Sequence, residues 1–197
     1  MYSSKKPLRI TFNAPVTLAF AALCVIVRLV DMLTKGEANY LLFSVYRAPL
    51  SDPLTYVRCV CHVLGHASWS HLIGNMMYIL LLGPMIEEKY GSKNIAVVIL
   101  ATAVVTGILY MAFFPHSRLL GASGVVFAFI LISSVTVRED RTIPVTFILV
   151  ALLYLGQEIY EGITVKDNVS QITHIAGGAV GSVLGFLLSK KKKKDHF

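Results

Sequence analysis

Six stretches of the chain contain no Asp, Glu, Lys or Arg. They are Ile10–Val27, Cys59–Ile86, Asn94–Ser117, Leu119–Val137, Thr142–Gln157 and Asn168–Ser189. Because a helix that crosses a bilayer needs roughly 20 mostly apolar residues, each stretch predicts one membrane-spanning helix. The pattern therefore predicts an all-α, polytopic membrane protein with six transmembrane helices, at about 12–33, 69–87, 94–114, 120–137, 142–160 and 171–189.

Composition supports this interpretation. Of the 197 residues, 55% are hydrophobic and only 15% are charged, whereas soluble domains have about 25% charged residues. An ordinary soluble globular protein is thereby excluded. Six spans use most of the chain, so we expect a single membrane domain over 1–197 with one long outer loop, 34–68. The apolar run Tyr40–Tyr46 in that loop is expected to lie partly in the outer leaflet.

The distribution of basic residues predicts the orientation. With six spans, the two termini and the turns at 87–93 and 138–141 lie on one side of the membrane, and they carry twelve of the 18 Lys and Arg residues. The opposite side carries five. The positive-inside rule therefore places both termini in the cytoplasm, and we expect the inner membrane of a bacterial cell. The run Lys190–Lys194 follows an apolar span, so it is expected to bind anionic membrane lipid rather than nucleic acid. Ala19-Phe20-Ala21 resembles a signal-peptide cleavage site, but apolar residues continue to Leu33, which favours a retained helix.

Four polar residues lie at similar depth near the outer ends of three predicted spans. They are His71 and Asn75 in the second, Ser123 in the fourth and His174 in the sixth. Polar side chains are costly within a bilayer and therefore indicate function. A serine becomes a nucleophile when a neutral imidazole removes its proton, so Ser123 and His174 form a candidate pair. His71 and Asn75 share one helix face as possible hydrogen-bond donors to an oxyanion.

Small residues explain how this pair could meet. Gly177, Gly181 and Gly185 recur every four residues, and His174 lies one turn before Gly177. Such spacing lets two helix backbones approach closely in lipid. The fourth predicted span has matching small residues, Gly121, Ala122, Gly124 and Ala128. The acidic residues nearest His174 are not placed to orient it, so a Ser-His dyad is predicted rather than a triad.

The histidines also permit a different interpretation, a zinc site. Five possible ligands lie close together in sequence: Cys59, Cys61, His62, His66 and His71. His62 and His66 have the i, i+4 spacing of a helical zinc pair, but the residues between them include no glutamate. We therefore expect no metal and no cofactor. The pair Cys59 and Cys61 is expected to be strand-like and too closely spaced for an easy disulfide.

The same residues resemble the rhomboid family of intramembrane serine proteases over about Arg58–Gly185. The motifs that carry the resemblance are His66-x4-His71-x3-Asn75, Glu87-x3-Gly91, Gly121-Ala122-Ser123-Gly124 and His174-x2-Gly177-x3-Gly181. The resemblance implies a rhomboid-type six-helix bundle in which Ser123 is the nucleophile and His174 the base. It also implies that His71 and Asn75 help to form the oxyanion hole, and that single-pass transmembrane proteins are the substrates.

The sequence departs from the family pattern at two positions. Val57-Arg58 stands where Trp-Arg is usual, and Phe127 stands where a tyrosine often follows the nucleophile by four residues. Phe127 shares the face of Ser123, so its ring can pack beneath His174 without the hydroxyl group. Two other functional classes stay open: a non-catalytic rhomboid-like factor for membrane-protein binding or quality control, and a small channel or transporter.

Overall fold

The computed structural model of the protein describes residues 11–136 and thirteen helical positions beyond them. These positions are Val145, Ile148, Leu149, Leu152, Leu153, Gly156, Tyr160, Gly177, Gly178, Val180, Gly181, Val183 and Leu184. The predicted base, His174, lies outside the described residues, as do most residues of the predicted spans 142–160 and 171–189. The presence of six membrane spans therefore stays a prediction.

The described part of the chain is all-helical, as predicted. Its helices are α1 (Pro15–Leu33), α2 (Glu37–Leu41), α3 (Pro53–Cys61), α4 (Trp69–Tyr90), α5 (Ser92–Phe113) and α6 (Ser123–Thr136), with a turn of 3₁₀ helix at His62–Leu64. Within residues 11–136 the extended pairing is limited to an isolated antiparallel bridge between Val45 and Leu119. Three helices, α1, α4 and α5, are long and apolar enough to cross a membrane, and α6 contains a shorter apolar stretch.

Helix α4 lies at the centre and packs against α1, α5 and α6. Its buried face contributes Leu72, Met76, Ile79 and Ile86, which contact buried apolar side chains of the three neighbouring helices. The outward-facing sides of α1, α4 and α5 are also apolar, because many of their large apolar side chains are exposed. An apolar exterior of this kind suits contact with lipid rather than with water.

A carboxylate from α4 completes the first turn of α1. Pro15 starts α1, and the preceding residue, Ala14, provides no side-chain cap. Instead, the Glu87 carboxylate accepts hydrogen bonds from Val16 N at 2.9 Å, Thr17 N at 2.8 Å and Thr17 Oγ1 at 2.7 Å. The first turn of a helix has unpaired N–H groups, and a buried one is costly if left unmet. Glu87 therefore caps α1 and holds it against α4.

The outer loop, predicted at 34–68, contains more regular structure than expected. Asp52 caps α3 by accepting a hydrogen bond from Leu54 N at 3.0 Å, and Pro53 occupies the first helical turn. The strand-like assignment of Cys59 and Cys61 is wrong, because both lie on α3. The sulfur of the buried Cys59 contacts Val104 O on α5, and both cysteines are free thiols.

We predict that Glu87→Ala destabilises the protein by about 2 to 4 kcal/mol, because it leaves three donors at the start of α1 without their acceptor. The measurement is the free energy of unfolding in detergent micelles. Glu88→Ala is the matched control, since the neighbouring carboxylate is exposed and accepts a hydrogen bond from the Asn13 side chain. Equal losses in both variants would contradict the capping role.

Candidate active site

Ser123 begins α6 and is 94% buried, with a relative exposure of 6%. The segment just before Ser123 has an unusual backbone conformation. Gly121 has φ 132°, a value that favours glycine. The Gly121 N–H donates a hydrogen bond to His62 O at 2.9 Å, which anchors the segment to the 3₁₀ turn. The nucleophile predicted from the sequence therefore lies at a helix start whose backbone is fixed from outside the helix.

His71 and Asn75 lie one turn apart near the start of α4. Ser68 caps this helix by accepting a hydrogen bond from His71 N at 3.1 Å, and Asn75 Nδ2 donates to His71 O at 3.1 Å. The His71 ring lies against Gly121, because a Cβ atom added to Gly121 would be 2.8 Å from His71 Cε1 and Nε2. The structure thus brings His71 to the segment that carries Ser123.

Sequence reasoning missed this contact between Gly121 and the His71 ring. From the sequence, Gly121 is expected only to help helices pack closely. The structure shows two further reasons for glycine at this position: its φ is positive, and the His71 ring leaves no room for a side chain. The signal that could have found it is the pair of glycines on either side of Ala122-Ser123. A residue that must both turn the chain and admit an imidazole ring has to be glycine.

His66 and His62 are buried, and their i, i+4 spacing does not place them on one α-helix. The 3₁₀ turn that contains His62 ends at Leu64, and Gly65 is extended with ψ 145°, so His66 lies beyond that turn. His62 lies within hydrogen-bonding distance of Cys59 O and Thr106 Oγ1, at 3.1 and 3.2 Å. Within the described residues there is no group of three or more His, Cys, Asp and Glu side chains placed to hold a metal ion.

Burial keeps both histidines neutral. It lowers the pKa of His62 to about 4. It also lowers the pKa of His66 to about 3, with a further decrease from the nearby His71. The rings of His66 and His71 meet edge to face, with 5.0 Å between their centroids. His66 therefore packs behind His71 as an uncharged ring at neutral pH.

The glycines that follow His174 in sequence contact α6. A Cβ atom on Gly177 would lie 2.4 Å from Gly124 O, and one on Gly181 would lie 2.5 Å from Ala128 Cα. A Cβ atom on Gly178 would lie 2.4 Å from Cε1 of Phe127. The close approach predicted from the small residues is confirmed at these positions. The described glycine nearest to His174, Gly177, thus contacts the residue directly after Ser123.

Comparison with known proteins identifies the family. The Rhomboid domain model matches residues 53–191, which include the whole described site. The chain belongs to the rhomboid family. As a rhomboid with three helices that could span a bilayer, it is an integral membrane protein.

Relatives of this rhomboid come from bacteria, animals and plants. Rhomboid protease GlpG of Haemophilus influenzae is 26% identical over 187 residues, which cover 91% of this chain and 94% of the relative. Rhomboid-related protein 2 of Mus musculus is 29% identical over 70% of this chain, and Rhomboid-like protein 11, chloroplastic, of Arabidopsis thaliana is 29% identical over 64%. The chain spans about half the length of the mouse and plant relatives, 52% and 50%.

We predict that Gly181→Ala destabilises this rhomboid by about 1 to 3 kcal/mol, since the added methyl group meets the Ala128 backbone, which cannot rotate away. Gly156→Ala is the matched control, because a Cβ atom there has no neighbour within 4 Å among the described residues. Its effect should be neutral or stabilising by up to about 1 kcal/mol. Thermal unfolding in detergent compares the two variants, and a Gly181→Ala protein as stable as Gly156→Ala would refute the close contact.

Proposed function

We propose that this rhomboid is an intramembrane serine endopeptidase. Ser123 is the nucleophile, His174 is its general base, and the substrates are single-pass membrane proteins cleaved in or near the outer part of the bilayer. The observation that carries the proposal is the contact of Gly177 with Gly124, next to Ser123. The Haemophilus relative, of which this chain covers 94%, is named a protease.

The proposed architecture is that of the sequence prediction. The chain forms a single membrane domain over 1–197 with six spans, both termini lie in the cytoplasm, and the membrane is the inner membrane of a bacterial cell. The basic residues concentrated on one side of the predicted topology support this orientation. The proposed reaction then takes place near the opposite face, where α4 and α6 begin.

The proposed reaction has two stages. His174 removes the proton of the Ser123 hydroxyl, and Oγ attacks the carbonyl carbon of the scissile peptide bond. The C–N bond then breaks, the imidazolium protonates the leaving amine, and an acyl-enzyme remains. A water molecule, deprotonated by His174, hydrolyses the ester and restores Ser123. No cofactor enters either stage.

His71 and Asn75 are proposed to stabilise the oxyanion of each tetrahedral intermediate. The His71 ring against Gly121 supports this role, since it lies beside the segment in which Ser123 begins its helix. Donors held in place before the reaction stabilise developing charge without reorganisation. The rigid capping of α4 by Ser68 and the buried His66 ring behind His71 both restrict movement of this donor.

Substrates must expose a peptide bond before it can be attacked. In a transmembrane helix each carbonyl group is hydrogen-bonded and surrounded by lipid. We therefore propose that cleavage favours segments with Gly, Pro or small polar residues near the outer end of the substrate helix, where unwinding costs least.

We predict that a fluorophosphonate probe labels Ser123 in detergent and that Ser123→Ala abolishes both labelling and cleavage of a single-span test substrate. His174→Ala should lower the rate by about 10² to 10⁴-fold while the protein still inserts into membranes. Ser133→Ala is the matched control, because Ser133 is another buried serine of α6. Cleavage that survives Ser123→Ala would instead favour the non-catalytic rhomboid-like factor.

We further predict that Asn75→Ala lowers kcat by about 10² to 10³-fold with little change in KM, because the lost donor acts on the transition state. Asn94→Ala controls for structural effects, since Asn94 Nδ2 bonds the carbonyl four residues earlier, Tyr90 O, as Asn75 bonds His71 O. Steady-state kinetics on one substrate measures both variants. A change of equal size in the two would remove Asn75 from the oxyanion site.

A further inference from the structure

A cavity of about 370 Å³ opens beside the proposed active site. It lies between the outer loop and the segment that precedes α6. The described residues that line it are Gly36, Asn39, Tyr40, Ser44, Ala67, Arg118 and Leu120. Leu120 is adjacent to Gly121, and Ala67 is adjacent to His66. The cavity wall is therefore continuous with the two segments that carry Ser123 and His71.

Arg118 is the charged group among these lining residues, and among the described residues it differs from two other arginines in its partners. In the described part of the chain, three arginines lie over aromatic rings: Arg28 over Trp69, Arg58 over Tyr46 and Arg118 over Tyr40. Arg28 is paired with Asp31 at 2.9 Å, and Arg58 is paired with Asp52 at 2.5 Å. Within the part of the chain that the structure describes, no carboxylate pairs with Arg118.

Stacked rings hold Arg118 at this position. Its guanidinium carbon lies 5.2 Å from the centroid of Tyr40, and the Tyr40 ring stacks on Tyr46 at 5.6 Å. The second ring lies against Arg58, at 4.6 Å. A guanidinium held over a ring keeps its N–H groups at the edge free to bind a carboxylate in a bidentate manner. Arg118 is thus an oriented, exposed cation at the cavity.

Asn39, another residue of the cavity wall, is held by hydrogen bonds. Asn39 is 8% exposed, and its side-chain Nδ2 donates to His66 O at 3.1 Å while its backbone N–H donates to Asp31 Oδ1 at 3.0 Å. Its Oδ1 atom accepts no hydrogen bond and is buried. The two donated hydrogen bonds fix Asn39 between α1 and the residue His66, so this part of the cavity wall is held in place.

We propose that this cavity is a specificity subsite that binds an acidic side chain of the substrate. The inference rests on the proposed protease function. The carboxylate of an Asp or Glu residue pairs with Arg118, which lies at the cavity. The volume is near the lower end of ligand sites, which suits one side chain of an unwound segment rather than a helix.

The test uses a single-span substrate that carries Glu, Gln or Lys at each position near its cleavage site in turn. At one position, the wild-type protein should cleave the Glu substrate at least about tenfold faster, in kcat/KM, than the Lys substrate. Arg118→Glu should reverse this preference, and Arg118→Lys should retain it. Lys35→Glu is the control, because Lys35 is an exposed cation of the same loop that does not line the cavity. Equal cleavage of Glu and Lys substrates at every position, or a preference that survives Arg118→Glu, overturns the proposal.

A binding measurement separates this inference from the protease function itself. Ser123→Ala protein in nanodiscs of zwitterionic lipid should bind the Glu form of the peptide more tightly than the Lys form, and Arg118→Glu should remove the difference. This result supports the subsite even if Ser123 proves not to be a nucleophile. Loss of anionic-lipid binding in Arg118→Glu without any effect on peptide binding would assign Arg118 to lipid and refute the subsite.

Discussion

The close contact of Gly177 and Gly181 with α6 is the constraint on which the proposed site depends. At both positions even a methyl group would overlap the backbone of the facing helix. Within a bilayer the hydrophobic effect does not drive helices together, so close packing of small residues has to supply the attraction. Ser123 directly precedes Gly124, and His174 precedes Gly177 by three residues in the sequence. The contact that joins the two segments is therefore also the one that would set the separation of nucleophile and base.

A second set of contacts holds the other side of the site through the outer loop. Arg47 donates to Met111 O and Ala112 O at the end of α5, and Val45 exchanges backbone hydrogen bonds with Leu119 at 2.8 and 2.9 Å. Arg58 donates to the Asp52 carboxylate and holds the pKa of that carboxyl below its usual range. These contacts tie the loop to the end of α5 and to the segment before Ser123. A loop built in this way acts as a fixed wall of the site.

Local sequence patterns predicted those parts of the structure that depend on local spacing. The glycine contacts followed from an i+4 repeat, and the helical character of α4 and α5 followed from their apolar stretches. Contacts between distant residues could not be predicted in this way. In the sequence, Glu87 looks like a polar residue at the end of a predicted span. The three groups that donate hydrogen bonds to its carboxylate lie about 70 residues earlier in the chain. The i, i+4 spacing of His62 and His66 does not correspond to one helix face, because the 3₁₀ turn ends before Gly65, where a Cβ atom would meet Phe43 O at 2.1 Å.

The buried histidines explain how a site lined with imidazoles can remain uncharged. A charge on His66 would have to be desolvated and would repel a charge on His71, and both effects lower its pKa. His66 is therefore neutral at neutral pH, where its ring packs against His71 without adding a fixed positive charge. The proposed chemistry needs this property, because a cation beside the base would oppose transfer of the serine proton to His174. Neutral donors and a neutral base can then act together in one layer, with the cation Arg118 placed at the adjacent cavity instead.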